Sequence, residues 1–194
     1  MVGGGFTGLW TALAVRAREP SARIAVLEAE RCGAGPSGRN GGFLHGYWAS
    51  AGELRTLLGT DAALELARAG EGIIPAVRAF GPEVWLREGG MLMVSTTPSQ
   101  DAAIDAAVRA ADEVGAAEEA VGLDERALAA RIESPVFRRG VFFRECATVQ
   151  PARLVRALRR AALAAGIDLY EGTPAVDVAE GVVKTPLGRV QSRR

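Results

Sequence analysis

The spacing of apolar residues changes several times along the chain, and each change predicts an element. After a glycine-rich start, Leu9, Leu13 and Ala14 fall on one face of a predicted helix that stops at Glu19-Pro20. Residues 23–28 then form a short continuous apolar run, Arg-Ile-Ala-Val-Leu-Glu, of the kind that makes a buried strand. Residues 51–80 read as helical with a break near Gly59. Thr60 is the expected cap of the second segment, Leu64, Leu66 and Ala67 supply its apolar surface, and Pro75 predicts a kink. Residues 84–87 and 91–94, joined by Glu88-Gly89-Gly90, predict a β-hairpin. Thr97-Pro98-Ser99-Gln100 starts a helix with proline at its first position and a capping-box glutamine, and Ile104, Val108 and Ala111 follow at helical spacing. A strand is expected at 140–144. Residues 151–165 predict a helix ended by Gly166, with Leu154, Val155, Leu158 and Ala162 inward and Arg153, Arg156 and Arg160 on a solvated face. Short strands are expected at 168–170, 175–178 and 182–184, and Tyr47, Trp48 and Trp85 are read as core aromatics.

Composition narrows the class. Hydrophobic residues make up 48% and charged residues 24% of 194 residues, a globular balance. Lys+Arg and Asp+Glu are both 23, so the basic excess of a nucleic-acid partner is missing. Cys32 and Cys146 form no CxxC pair and are read as reduced thiols; His45 is the single histidine, so no metal site is expected. No run approaches the roughly 20 apolar residues of a membrane span. The N-terminus lacks the basic region of a signal peptide, so the expected location is cytoplasmic.

Candidate chemistry sits at the start. Residues 3–8, Gly-Gly-Gly-Phe-Thr-Gly, match GxGxxG. In that pattern the first glycine allows a tight turn, the second lets backbone approach a pyrophosphate, and the third lets the following helix pack close. The helix N-terminus then offers free N–H groups and partial positive charge to the phosphates. Glu28 ends the next strand twenty residues after Gly8, where an acid is needed to accept hydrogen bonds from a ribose diol. The motif ordinarily follows a strand; here only Met1 and Val2 precede Gly3, which implies either a misassigned start or a fragment.

A nicotinamide-binding domain would continue with further βα units. This chain enters a polar glycine-rich loop instead, Gly33-Ala34-Gly35-Pro36-Ser37-Gly38-Arg39-Asn40-Gly41-Gly42, in which Ser37, Arg39 and Asn40 can donate hydrogen bonds to phosphate or to a flavin ring. Together the glycine turn, the acid in Val26-Leu27-Glu28-Ala29-Glu30 and this loop resemble the FAD-dependent D-amino-acid oxidase family, which includes glycine oxidase, sarcosine oxidase and D-amino-acid dehydrogenase types. The run Ser37 to Gly42 is most similar to bacterial amine-oxidising members such as gamma-glutamylputrescine oxidase. Residues 148–154, Thr-Val-Gln-Pro-Ala-Arg-Leu, resemble the family's entry into a long helix.

The resemblance implies an α/β fold: a Rossmann-like FAD-binding domain, incomplete, with part of an α+β antiparallel-sheet substrate domain. It implies a first FAD-binding segment at 1–50, a helical connection at 51–84, a partial substrate domain at 85–145 and a return to the FAD-binding domain at 146–194. Gly3, Gly5, Phe6, Thr7 and Gly8 would line the pyrophosphate turn, and Glu28 and Ala29 would meet the adenosine ribose. Gly35, Pro36, Ser37, Arg39, Asn40, Gly41 and Gly42 would run along the pyrophosphate and ribityl chain, and Ala175 would offer a backbone group to the adenine. Where some relatives attach FAD to a histidine, this loop has glycine, so the cofactor is expected to be held non-covalently. The implied reaction moves a hydride from the carbon beside an amine to the flavin, and the imine formed hydrolyses. The expected partner is a small amine or amino acid. The catalytic groups are expected outside these residues, and neither the electron acceptor nor the oligomeric state follows from the sequence. Two other readings stay open: a truncated nucleotide-binding fragment without catalysis, and a NAD-dependent dehydrogenase.

Overall fold

The computed structural model describes residues 1–192. In chain order the helices are α1 (Phe6–Arg18), α2 (Ala51–Leu58), α3 (Thr60–Gly70), α4 (Ile73–Arg78), α5 (Pro98–Glu113), α6 (Glu125–Ala129) and α7 (Pro151–Ala164). The strands are β1 (Ala25–Leu27), β2 (Phe43–His45), β3 (Arg87–Glu88), β4 (Met91–Ser95), β5 (Ala120–Leu123), β6 (Arg139–Phe143), β7 (Cys146–Thr148), β8 (Asp168–Tyr170), β9 (Asp177–Ala179), β10 (Val182–Thr185) and β11 (Gly188–Gln191). They build two compact units: Met1–Gly42 with Pro82–Trp85 and the chain from Gln150 on, and Phe43–Gly81 with Leu86–Val149.

The first unit is α/β. Strands β1 and β8 run parallel, Ala25 opposite Asp168 and Leu27 opposite Tyr170. Met1 and Val2 take the place of a further strand: Val2 bridges Leu27 in parallel, the Leu27 N–H donates to the Met1 carbonyl at 2.9 Å, and the Gly3 N–H donates to the Leu27 carbonyl at 2.8 Å. Helix α1 buries Leu9 and Ala12, whereas Ala14, expected inward, is exposed. The buried stripe follows i, i+3, on a helix that packs against α7. Helix α7 buries Leu154, Val155, Ala157, Leu158 and Ala162 and starts with Pro151 behind a Gln150 cap whose side-chain oxygen accepts from the Arg153 N–H at 2.6 Å. Strands β9, β10 and β11 form an antiparallel meander.

The second unit is antiparallel and packed by side chains. Strands β4, β6 and β5 form one sheet, with Phe143 opposite both Met91 and Ala120, and α5 lies beside it. Val141 and Phe143 of β6, Ile104 and Ala111 of α5, and Trp48, Ala51 and Ala67 meet in one core. Strands β2, β7 and β3 form a second sheet. The expected hairpin at 84–94 is absent: β3 pairs with β7 and β4 with β6, and residues 82–84 are a one-turn 3-10 helix. Gly90, with φ +75°, sits against the Phe142 ring and directs the chain from one sheet to the other rather than folding it back. The break at Gly59 occurs, but Gly59 itself, at φ +83°, caps α3, and the Thr60 side chain makes no capping bond. The Thr97–Gln100 capping box forms as expected.

Trp48 is buried in the core, whereas Tyr47 is 40% and Trp85 58% exposed. Trp85 adopts φ +54° and stacks its ring on the Arg153 guanidinium, 3.9 Å away. This contact leaves Arg153 half-buried, whereas Arg156 and Arg160 are exposed as expected, Arg160 in a surface ion pair with Glu83 at 2.6 Å. None of the described helices is long and apolar enough to cross a membrane.

Candidate functional site

The site is assembled in the first unit from three segments: the glycine turn, the end of β1 and the loop at 29–42. Gly3 has φ +97°, a conformation that other L-residues rarely adopt. A side-chain carbon on Gly8 would lie 2.0 Å from the Gly3 carbonyl oxygen, so only glycine allows the turn to close on α1. One on Gly5, the N-cap of α1, would lie 2.8 Å from the Ser37 hydroxyl oxygen. The Phe6 N–H donates to that same oxygen at 3.0 Å. The Leu9 N–H closes the first helical bond on the Gly5 carbonyl, and the N–H groups of Thr7 and Gly8 have no partner among the described residues. An open helix N-terminus of this kind, with glycine on both sides, is a ready seat for a phosphate anion.

Glu28 follows β1 with its carboxylate turned back toward the turn. One oxygen accepts from the Gly4 N–H at 2.7 Å and the other from the Glu30 N–H at 3.0 Å. Both oxygens keep lone pairs for a diol. Ala29 is exposed beside it. The chain after β8 runs alongside: Thr173 N–H donates to the Glu28 carbonyl at 2.8 Å and Gly172 N–H to the Glu30 carbonyl at 2.7 Å. Ala175 lies two residues beyond that contact, half-buried.

The loop has two faces. Ser37 and Cys32 face the glycine turn, the latter so closely that a side-chain carbon on Gly4 would meet its sulfur at 2.6 Å. Gly33 faces α7, where a side chain would strike Val155 at 2.5 Å. Residues 36–38 form a one-turn 3-10 helix after Gly35, which has open space around it. Asn40 serves the loop itself: its amide donates to the carbonyls of Pro36 and Ser37, and its oxygen accepts from the Gly42 N–H at 2.8 Å. Arg39 and Gly41 are exposed, and Arg39 lines a cleft shared with α7.

Sequence reasoning passed over the group that holds this loop. Glu171, just after β8, receives both Nε and Nη2 of Arg159 at 3.0 and 2.6 Å and the Cys32 N–H at 2.8 Å. It thereby joins β8, α7 and the loop. The Arg159 fork, aided by the Cys32 N–H, pulls the Glu171 carboxyl down to about 2. Burial, with the Glu171 charge beside it, pushes the Cys32 thiol up to about 11, so it stays a thiol at neutral pH. The only signal in the sequence was an i, i+12 separation between an arginine and an acid, which carries no information until α7 and β8 are packed.

Helix end, diol-accepting acid and glycine-lined loop together fit a dinucleotide with a pyrophosphate at its centre. The family model described as FAD dependent oxidoreductase matches residues 1–194. The chain belongs to that FAD-dependent oxidoreductase family. A probable oxidoreductase, OrdL, of Rhizobium meliloti is 28% identical over all of this chain and 47% of its own length. Glycine oxidase from Geobacillus kaustophilus superposes with a TM-score of 0.75 at 22% identity, over 98% of this chain and 52% of the oxidase. An L-amino acid deaminase from Proteus myxofaciens gives 0.76 at 17% identity, over 98% of this chain and 42% of the deaminase. This FAD-dependent oxidoreductase chain therefore spans about half the length of these relatives and shares their α/β fold.

Proposed function

We propose that the first unit holds FAD non-covalently and that the chain serves the oxidation of a C–N bond in a small amine or amino acid. The observation that carries the cofactor reading is the unpartnered N–H pair of Thr7 and Gly8 at a helix start that only glycine at 5 and 8 leaves open. Gly3, Gly5, Phe6, Thr7 and Gly8 form the phosphate seat, with Glu28 and Ala29 at the ribose and Ala175 at the adenine. Gly35, Pro36, Ser37, Arg39, Asn40, Gly41 and Gly42 flank the phosphate and ribityl chain, Asn40 by shaping the loop. FAD, once bound, supplies the hydride-accepting chemistry. The chain's own groups position it: the helix dipole offsets the phosphate charge, and Glu171 with Arg159 keeps the loop against α7. The C–N reading is supported by the names of glycine oxidase and L-amino acid deaminase among the structural neighbours. The second unit is assigned to the substrate side.

The test is the visible spectrum of the purified chain with added FAD, followed by release of the flavin with denaturant. A yellow protein that releases intact FAD is expected, and anaerobic bleaching by amino acids and amines then identifies the donor class. A folded, colourless protein protected from proteolysis by NAD and not by FAD sinks the proposal. Bleaching by hydroxy acids alone sinks the C–N part.

A further inference from the structure

The outer face of the loop carries charge that the flavin reading leaves unused. Between this face and α7 lies a cleft of about 550 Å³, floored in part by Gly33, Gly38 and Val155. Five arginines line it, Arg31 and Arg39 from the loop and Arg156, Arg159 and Arg160 from α7, against one carboxylate, Glu171. Arg159 is forked to Glu171, and Arg160 is paired with Glu83. Arg31, Arg39 and Arg156 have no ion pair among the described residues. Three uncompensated guanidinium groups around one concavity repel each other, and field lines concentrate there.

We propose that this cleft is a second anion site, separate from the glycine turn, that takes a compact polyanion of the diphosphate class. The guanidinium fork matches two phosphate oxygens at once, and two or three forks suit a ligand with several such oxygens better than a single carboxylate. Val155 fills the space beside Gly33 and the Gly33 carbonyl the space beside Gly38, so the groups the cleft offers a ligand are the guanidinium forks. The separation rests on Ser37, whose hydroxyl accepts from the Phe6 N–H at the glycine turn and is not part of the cleft lining, and on Val155 and Arg156, which line the cleft from α7; Cys32 and Gly33 lie between the two. The site does not rest on the flavin assignment. Arg39 is shared with it, so the tests use Arg31 and Arg156.

Inorganic pyrophosphate is titrated into the whole chain by calorimetry at low and at physiological ionic strength, with and without excess FAD. The expected result is one site whose affinity falls with salt, weakens about tenfold in Arg156→Glu and in Arg31→Glu, and stays within about twofold when FAD is added. ADP in place of pyrophosphate tells a free diphosphate from one carried by a nucleotide, and either result satisfies the proposal. Arg31→Ala and Arg156→Ala, checked by circular dichroism, replace any charge reversal that unfolds. Absence of pyrophosphate binding overturns the proposal, as does equal binding by the arginine variants. Displacement of pyrophosphate by FAD overturns it too, because the cleft is then part of the cofactor's own seat.

Discussion

The two units differ in what their sequences specify. In the first, a side-chain core of Leu9, Val26, Leu154 and Leu158 is joined by close backbone contacts: Gly8 against the Gly3 carbonyl, Gly38 against the Gly33 carbonyl, and residues 1–3 along β1. In the second, contact is made by side chains: Phe143, Val141, Ile104 and Trp48 interdigitate, and its sheets pair strands distant in sequence. A steric requirement that only glycine meets leaves its mark in one residue type at one position. A packed core accepts many apolar combinations and leaves only a period. The glycine turn is therefore specified by what cannot be there, the core of the second unit by total volume and pairing.

The largest break in this contrast is expected from Gly8→Val. Its side chain must enter the Gly3 carbonyl, so flavin retention should vanish in the visible spectrum, whereas Gly89→Ala, which has open space and lies outside the proposed site, should leave it nearly unchanged. Phe143→Ala acts on the other unit. A fully buried ring there is worth about 3–5 kcal/mol, so the unfolding midpoint in urea should fall steeply while flavin affinity changes far less. Equal loss of flavin in both variants would erase the distinction between the units.

A pH test follows from Glu145, in the turn between β6 and β7. Both its carboxylate oxygens are buried without a partner, below Gly46 and near the unpartnered Trp48 indole N–H. Burial, with Glu71 and Glu119 adding like charge, raises its carboxyl to about 7. His45 of β2 and Cys146 of β7 lie beside it, and Arg144 faces Glu119. The folded state keeps a proton that the unfolded state releases above its ordinary value of 4.5. Stability should therefore fall as pH rises from 4.5 to about 7 and level off above, and Glu145→Gln should flatten that slope in thermal melts.

Glu171 in the first unit gives the reverse. Its lowered carboxyl means that the contribution of the Arg159 pair is present above 4.5 and lost as pH falls toward about 2. Both side chains are partly exposed, so Arg159→Ala should cost about 1 kcal/mol by denaturant titration. The smallest effect is expected from Arg153→Ala, which removes the stack on exposed Trp85 and should cost about 0.5–1 kcal/mol.

Gly3, Gly5 and Gly8, the acid at Glu28 and the capping box at Thr97 were legible because each is a local device, fixed within a turn or one βα step. The helices α1, α5 and α7 were legible from their apolar period. Misreadings share one cause. The expected hairpin at 84–94, the inward Ala14 and the buried Trp85 all depended on which distant segment packs there. Strand pairing has no local signature when two strands next to each other in sequence enter different sheets.

By itself the sequence determined the glycine turn, the acid that follows it and the α/β character of the first unit, because each rests on short-range sterics and hydrogen bonding that residue type dictates. Only the tertiary structure decided that Glu171 and Arg159 clasp the loop and that five arginines from two remote segments share one cleft. It also decided that β3 and β4 part company. Those outcomes depend on long-range packing geometry, which sets distances between charges and strand edges that no spacing along the chain encodes.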